Sequence, residues 1–241
     1  MKQRNFSACV ALALCLGAFA TRAQNYYNPP QGAPAVAQAP YYQLPEGAGL
    51  YFRLGVGPSF FENGQLTQFG GPRSSQVEYQ TGLASGAAVG YAFNKYIATE
   101  FEIGAVGAEI KDVQAPNFFS DNSYIYNVPF LANVRLSYPI PHTIVTPYIG
   151  AGVGGSAIDF NTDGFGNNSD VVSGTESDVV FAWQAFAGLR FQLNPQMTLG
   201  IGYKYFATGD PSFTYPPDNF TVGFKGVKTH SVLFTFEWKF W

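Results

Sequence analysis

The sequence predicts an all-β chain, an eight-stranded antiparallel up-and-down transmembrane β-barrel with an N-terminal signal peptide and a disordered lead-in. Three observations predict it. First, the chain ends on a strand with Val232, Phe234, Phe236, Trp238 and Phe240 on one face and Leu233, Thr235, Glu237 and Lys239 on the other. Successive strand side chains point to opposite faces, so one face is entirely large and apolar. In water such a face aggregates, whereas in lipid it is at home. Second, charged residues make up only 12% of the chain, roughly half the share of an ordinary globular domain. Aromatics reach 17% and there are 27 glycines. Third, no run of about 18 apolar residues occurs beyond the amino terminus, so no helix spans a bilayer. Alternating strands leave this weak hydropathy behind.

Residues 1–23 read as the signal peptide, with Lys2 and Arg4 as its basic region and Phe6 to Ala20 as its apolar one. Cleavage is expected after Ala23, with Thr21 at −3; Ala20 with Ala18 is the alternative. A lipoprotein signal at Cys15 is disfavoured by Leu14, which stands where a small residue belongs. Cys9 and Cys15 both fall in this segment, which leaves the mature chain without thiol chemistry or a cysteine metal site. Removing Lys2, Arg4 and Arg22 takes 13 basic residues to 10 against 16 acidic, a net charge of −6 that argues against nucleic acid. Residues 24–48, rich in Pro, Gln, Ala and Tyr and without hydrophobic period, are expected to be a disordered periplasmic linker. The barrel domain is placed at 49–241.

From Leu50 onward, alternating segments are separated by turn-rich stretches. The first sets Phe52, Leu54 and Val56 against Tyr51, Arg53, Gly55 and Gly57. The second sets Leu83, Ala87, Val89 and Tyr91 against Gln80, Gly82, Gly86 and Gly90. After a turn at Asn94-Lys95, the third sets Ile97, Phe101 and Ile103 against Glu100 and Glu102. The fourth sets Val128, Phe130, Ala132, Val134 and Leu136 against Asn127, Asn133 and Arg135. Pro139 and Pro141 mark the next turn. The fifth sets Ile149, Ala151 and Val153 against Tyr148, Gly150, Gly152 and Gly154. The sixth sets Trp183, Ala185, Ala187 and Leu189 against Gln184, Gly188 and Arg190. Beyond Asn194-Pro195, the seventh sets Leu199, Ile201, Tyr203 and Tyr205 against Gly200, Gly202 and Lys204, and the terminal strand is the eighth.

Every strand charge falls on the parity opposite its apolar face: Arg53, Glu100, Glu102, Arg135, Arg190, Lys204, Glu237 and Lys239. A charge on the lipid face at mid-bilayer costs roughly 2–4 kcal/mol, which accounts for the sorting. Charges of both signs in a bore that side chains can fill are expected to pair and plug it. Gaps alternate long and short. Four long loops (about 61–77, 111–124, 159–178 and 207–227) are therefore expected outside, with short turns and both termini in the periplasm. Phe118, Phe119, Phe165, Phe213 and Tyr215 in those loops are expected either to make contacts or to pack on the barrel rim.

These segments resemble the eight-stranded outer-membrane β-barrel superfamily, which includes the membrane domain of outer membrane protein A and opacity-type surface proteins. The resemblance rests on Tyr126-Asn-Val-Pro-Phe-Leu-Ala-Asn-Val-Arg135, Pro147-Tyr-Ile-Gly-Ala-Gly-Val-Gly-Gly155, Phe181-Ala-Trp-Gln-Ala-Phe-Ala-Gly-Leu-Arg190, Leu199-Gly-Ile-Gly-Tyr-Lys-Tyr205 and the final strand. It implies outer-membrane lipid around the barrel, with periplasmic chaperones and the barrel assembly machinery as partners. It also implies a C-terminal assembly signal, carried here by Phe236, Trp238 and Phe240, with Trp241 as one residue beyond the pattern. The superfamily spans adhesins, anchors and a few enzymes, so the expected role is a non-enzymatic, surface-exposed scaffold with an unknown extracellular ligand. A small-conductance porin and a lipid A-modifying enzyme are the alternatives. No cofactor is expected.

Three motifs compete with that reading. Gly150 to Gly155 resembles a phosphate loop, but no helix follows, and inward glycines in a narrow barrel explain the run. Asp159, Asn161, Asp163 and Asp170 match calcium-loop spacing, with Asp in place of the usual bidentate Glu; a solvated polar loop is the simpler account. His230-Ser231 with Glu237 invites comparison with a lipid A deacylase triad, yet adjacent strand residues point oppositely and exchange no proton.

Overall fold

A computed structural model describes residues 47–240 apart from 116, 168 and 217–219, and it leaves the side chains of 71–73 undescribed. The signal peptide at 1–23, the 24–48 lead-in apart from Gly47 and Ala48, and Trp241 lie outside the described residues. Among the described residues every regular element is a strand. In chain order these are β1 (Gly49–Phe61), β2 (Gly64–Phe69), β3 (Gly71–Tyr79), β4 (Gly82–Ala92) and β5 (Ile97–Gln114). There follow β6 (Phe118–Asp121), β7 (Tyr124–Ser137), β8 (Val145–Asn167) and β9 (Val171–Gln192). The last are β10 (Met197–Thr208), β11 (Ser212–Tyr215), β12 (Phe220–Phe224) and β13 (Lys228–Lys239).

Eight of them form a closed antiparallel ring in the order β1, β4, β5, β7, β8, β9, β10, β13. It closes between first and last strand, from Tyr51 opposite Lys239 to Phe61 opposite Thr229. Short turns join β4 to β5, β7 to β8 and β9 to β10. Two use the same device. Asn94 Oδ1 accepts from the Tyr96 and Ile97 N–H groups at 2.7 and 3.0 Å, and Asn194 Oδ1 from those of Gln196 and Met197 at 2.9 and 2.8 Å. This side-chain mimic of a turn lets two strands reverse in a few residues.

The outward face of the ring near these turns is apolar and exposed. It includes Leu54, Val89, Phe101, Ile103, Val134, Ile149, Leu199 and Phe234. Exposed Tyr126, Trp183 and Tyr203 stand at one rim of this belt and Phe93, Tyr96 and Tyr138 at the other, as in the aromatic girdles of membrane barrels. From Ile97 to Gly107, β5 crosses the belt in the roughly 9–11 residues that a tilted strand needs.

Among the described residues, the four segments expected as long loops are instead largely strand. β2 and β3 extend β1 and β4 as a paired hairpin, β11 and β12 extend β10 and β13, and β6 pairs with the upper part of β8. The β8–β9 ladder runs from Val145 opposite Phe191 to Gly166 opposite Val171. The expectation failed because polarity can invert along a strand at constant parity, as it does on β8. On β8 the outward column runs Ile149, Ala151, Val153 and then Asp159, Asn161, Asp163; the inward column runs Gly150, Gly152, Gly154 and then Ile158, Phe160. Past the belt, water replaces lipid outside, so the wall takes the soluble arrangement with apolar groups inside. Register shifts between Leu66 and Gln68, Glu78 and Tyr79, Thr162 and Phe165, and Gly223 and Phe224 break the two-residue period further.

The projecting half therefore holds a hydrophobic core. Leu66, Val77, Ile125, Phe160, Phe165, Phe213 and Phe224 are fully buried in it. The Phe160 ring meets those of Phe165, Phe224 and Phe213 at centroid distances of 5.1, 5.2 and 5.7 Å. Of the aromatics expected in the loops, Phe165, Phe213 and Tyr215 are buried here and Phe118 packs against them, while Phe119 stays exposed. Truncating a buried Phe costs about 3–5 kcal/mol. We expect Phe160→Ala to speed amide exchange in β11, β12 and the upper β8–β9 ladder while Ile97 to Ile103 stay protected. Uniform acceleration, read by hydrogen-exchange mass spectrometry, would make the two halves one cooperative unit.

Candidate functional site in the barrel interior

Alternation aims one column of every strand into the bore. Of the eight inward charges, seven meet in one network spread over six strands. Arg53 on β1 binds Glu100 and, at 3.1 Å, Glu102, both on β5. Arg135 on β7 spans Glu100 at 2.9 Å and Glu237 on β13 at 2.7 Å. Arg190 on β9 approaches Glu237 at 3.1 Å, and Lys204 on β10 binds Glu102. Lys239 stands apart, donating to the Gly47 carbonyl at 2.6 Å.

Two of these pairs cross the full bore. In the ring order β5 lies opposite β10 and β7 opposite β13, so Glu102–Lys204 and Arg135–Glu237 join diametric strands. Neutral groups complete the network. Gln184 donates to Glu102 at 3.1 Å and to Asn133 at 2.8 Å, and Asn133 donates to Glu102 at 3.0 Å. The Tyr51 hydroxyl donates to Glu100 at 2.7 Å, and the Arg135 guanidinium lies over its ring at 4.7 Å. Glycine makes the room. A Cβ on Gly90 would strike the Tyr51 ring, and one on Gly152 would strike Asn133 Oδ1. Gly150, Gly152 and Gly154 are thus inner wall of β8.

One inward step further along the same strands the bore turns apolar. Leu131 follows Asn133, Ala182 follows Gln184 and Phe206 follows Lys204, and the three pack together. Beyond them lies the core of the projecting half. Tyr51, Asn133 and Gln184 were not singled out from sequence as network members. Their inward parity was legible, but a neutral polar group carries no sign from which to infer a partner.

The other sequence candidates separate. Phe236 and Trp238 lie on the outward column of β13, Phe240 follows just past the strand's end, and its N–H donates to the Leu50 carbonyl at 2.9 Å. Asp159, Asn161 and Asp163 are not drawn around a common point. They follow one another along an extended strand at roughly 6.6 Å per two residues. Asn161 bonds Thr175, Asp163 accepts from Asn122 at 3.0 Å, and Asp170 lies past the strand's end. No three acidic, histidine or cysteine side chains converge as a metal site among the described residues. Ser231 points inward to Ser59 at 2.9 Å, whereas His230 on the outer wall meets Tyr203 at 2.6 Å and Glu62 at 3.0 Å.

Comparison with known proteins agrees with this architecture. A family model described as outer membrane protein beta-barrel domain matches residues 8–240. Among solved structures, outer membrane protein OprG from Pseudomonas aeruginosa is similar at a TM-score of 0.54 and 14% identity, covering 81% of this chain and 99% of that one. Neisserial surface protein A is similar at 0.47 and 17%, covering 81% and 100%. No curated protein matches the sequence.

Removing one partner of a buried ion pair leaves an uncompensated charge and costs about 3–5 kcal/mol. Glu237→Ala strips Arg190 of its carboxylate and Arg135 of one of two, so it should lower the temperature at which the folded gel band disappears. Lys239→Ala, which removes only a bond to a carbonyl, should lower it much less. Equal shifts would mean that the crossing pairs contribute nothing special.

Proposed function

The chain belongs to the outer membrane protein β-barrel family, and on that basis we propose that it is a sealed, non-enzymatic scaffold presenting the projecting strands at the cell surface. The observation that carries this reading is the pair of diametric ion pairs, Glu102–Lys204 and Arg135–Glu237, across a bore of eight strands. An interior of that size is just wide enough for side chains to fill, so pairs that meet in its centre leave no continuous water path. The apolar packing of Leu131, Ala182 and Phe206, and the aromatic core beyond, act as further barriers in series.

In this reading the short turns and both chain ends face the periplasm and the projecting half faces outward. Its outer wall offers Gln, Ser, Thr, Asn and carboxylate side chains on a rigid ladder, which suits recognition of an external partner. Across β3 and β5, for instance, Gln114 and Lys111 both reach Glu78 and hold its carboxyl below the ordinary value. The outward Phe236 and Trp238, with Phe240 past the strand's end, are presented to lipid and to the assembly machinery.

Purified protein in planar bilayers should show little or no steady conductance; large reproducible open steps would replace the scaffold with a pore. An impermeant amine reagent on intact cells should modify Lys111, whose side chain is 62% exposed on β5, and spare Lys95 in the β4–β5 turn. Labelling of Lys95 without Lys111 would invert the topology.

A further inference from the structure

Just beyond the lipid-facing belt the wall between β1–β2 and β12–β13 parts. The Glu62 N–H donates to the Lys228 carbonyl at 2.9 Å on one side of the gap, and the Lys225 N–H to the Gln65 carbonyl at 2.7 Å on the other. Between these bonds both strands are interrupted, and a pocket of about 180 Å³ opens, walled by Asn63, Gly64, Tyr79, Lys225 and Lys228 among others. It lies beside Phe60 and His230 on the outward column, the last large rings before the wall turns polar.

Three features of this pocket point to an anion. The Tyr79 hydroxyl is buried at its edge without a hydrogen-bond partner among the described residues, which ordinarily costs about 1–3 kcal/mol unless a ligand or water takes the bond. Burial pushes the phenol's pKa up, so the group remains a donor. Basic residues are scarce in the projecting segments, where only Arg73, Lys111, Lys225 and Lys228 occur, yet two of the four line this one pocket. The acids bordering it are engaged. Glu62 Oε1 meets His230 at 3.0 Å and its Oε2 faces Lys228 at 3.8 Å, while Asp210 accepts from the Gly226 N–H at 2.7 Å. Lys225 makes no ion pair among the described residues.

We propose that this pocket binds a phosphate group, supplied by the headgroup of a lipid in the adjoining leaflet. Two ammonium groups provide point charges for the phosphate oxygens and the Tyr79 hydroxyl provides a directed donor. The position fits a lipid better than a free ion, because acyl chains below the headgroup would lie along the outward faces of β1 and β13, over Phe60, Val56, Val232 and Phe234.

The test uses the full folded barrel in maltoside micelles, which contain no phosphate. Native mass spectrometry with phosphatidic acid and with diacylglycerol of the same chains should show selective retention of the phosphorylated lipid. K225Q/K228Q should weaken that retention at least tenfold, and Tyr79→Phe, which keeps the ring, about threefold, each with an unchanged folded gel band. Equal retention by wild type and K225Q/K228Q would overturn the site. Should the double variant not fold, Tyr79→Phe and Lys225→Gln decide alone, and no loss in either overturns the proposal. Inorganic phosphate followed by NMR separates the sources. Shifts of the Tyr79 and Lys225 signals at concentrations as low as those of the lipid would reject the lipid as the ligand and assign the pocket to the free anion.

Discussion

The structure depends on closing its wall. In the hydrocarbon of a bilayer no water can satisfy an unpaired backbone N–H or C=O, so a sheet there must have no edge. The ladder between β1 and β13, from Tyr51–Lys239 to Phe61–Thr229, removes the last two edges. Closure with eight strands makes the bore narrow, and the narrowness dictates its contents. Bulky Tyr51 requires glycine at position 90, and Asn133 requires it at 152. The same narrowness brings Arg135 within 2.7 Å of a carboxylate on the opposite wall. Carboxylates this deeply placed are tolerable because each meets at least two cations: Glu100 has Arg53 and Arg135, Glu102 has Arg53 and Lys204, Glu237 has Arg135 and Arg190.

A second constraint acts along the strands. Up to the register shifts their side chains keep one alternation, but the solvent on the outside changes. In the belt, Ile149 and Val153 face outward and glycine faces in; further along the same strand, Asp163 faces outward and Phe160 faces in. The molecule is thus built on one ladder in two halves of opposite polarity. One is held together inside by charge and hydrogen bonds, the other by ring packing.

This reversal marks the limit of what could be read from the chain. The strands of the belt were legible because two signals coincide there: apolar residues at every second position, and charges confined to the other parity. Glu100 and Glu102, alternating with Phe101 and Ile103, carry both at once. Past the belt the apolar residues change parity relative to the bilayer pattern, and the bulge between Thr162 and Phe165 slips it again, so Asp159 to Asp178 reads as a polar loop. The membership of the central network was legible through sign and parity; its pairing was not. Which cation meets which carboxylate follows from the stagger of the strands around the ring, and only the folded register places Arg135 across from Glu237 rather than beside Arg53.

The β1–β13 ladder also has a kinetic meaning. It joins residues from opposite ends of the barrel chain, the most costly kind of contact to find because the whole intervening polymer must be organised first. Until Val232 to Lys239 arrive, Arg53 and Leu54 have only one neighbouring strand, and the unfinished wall offers bare hydrogen-bonding groups to lipid. No shorter fragment of the ring is a stable resting place in a bilayer. Synthesis from the amino terminus makes the closing strand the last of the eight ring strands to appear, so the ring matures as a whole and only once that strand is available.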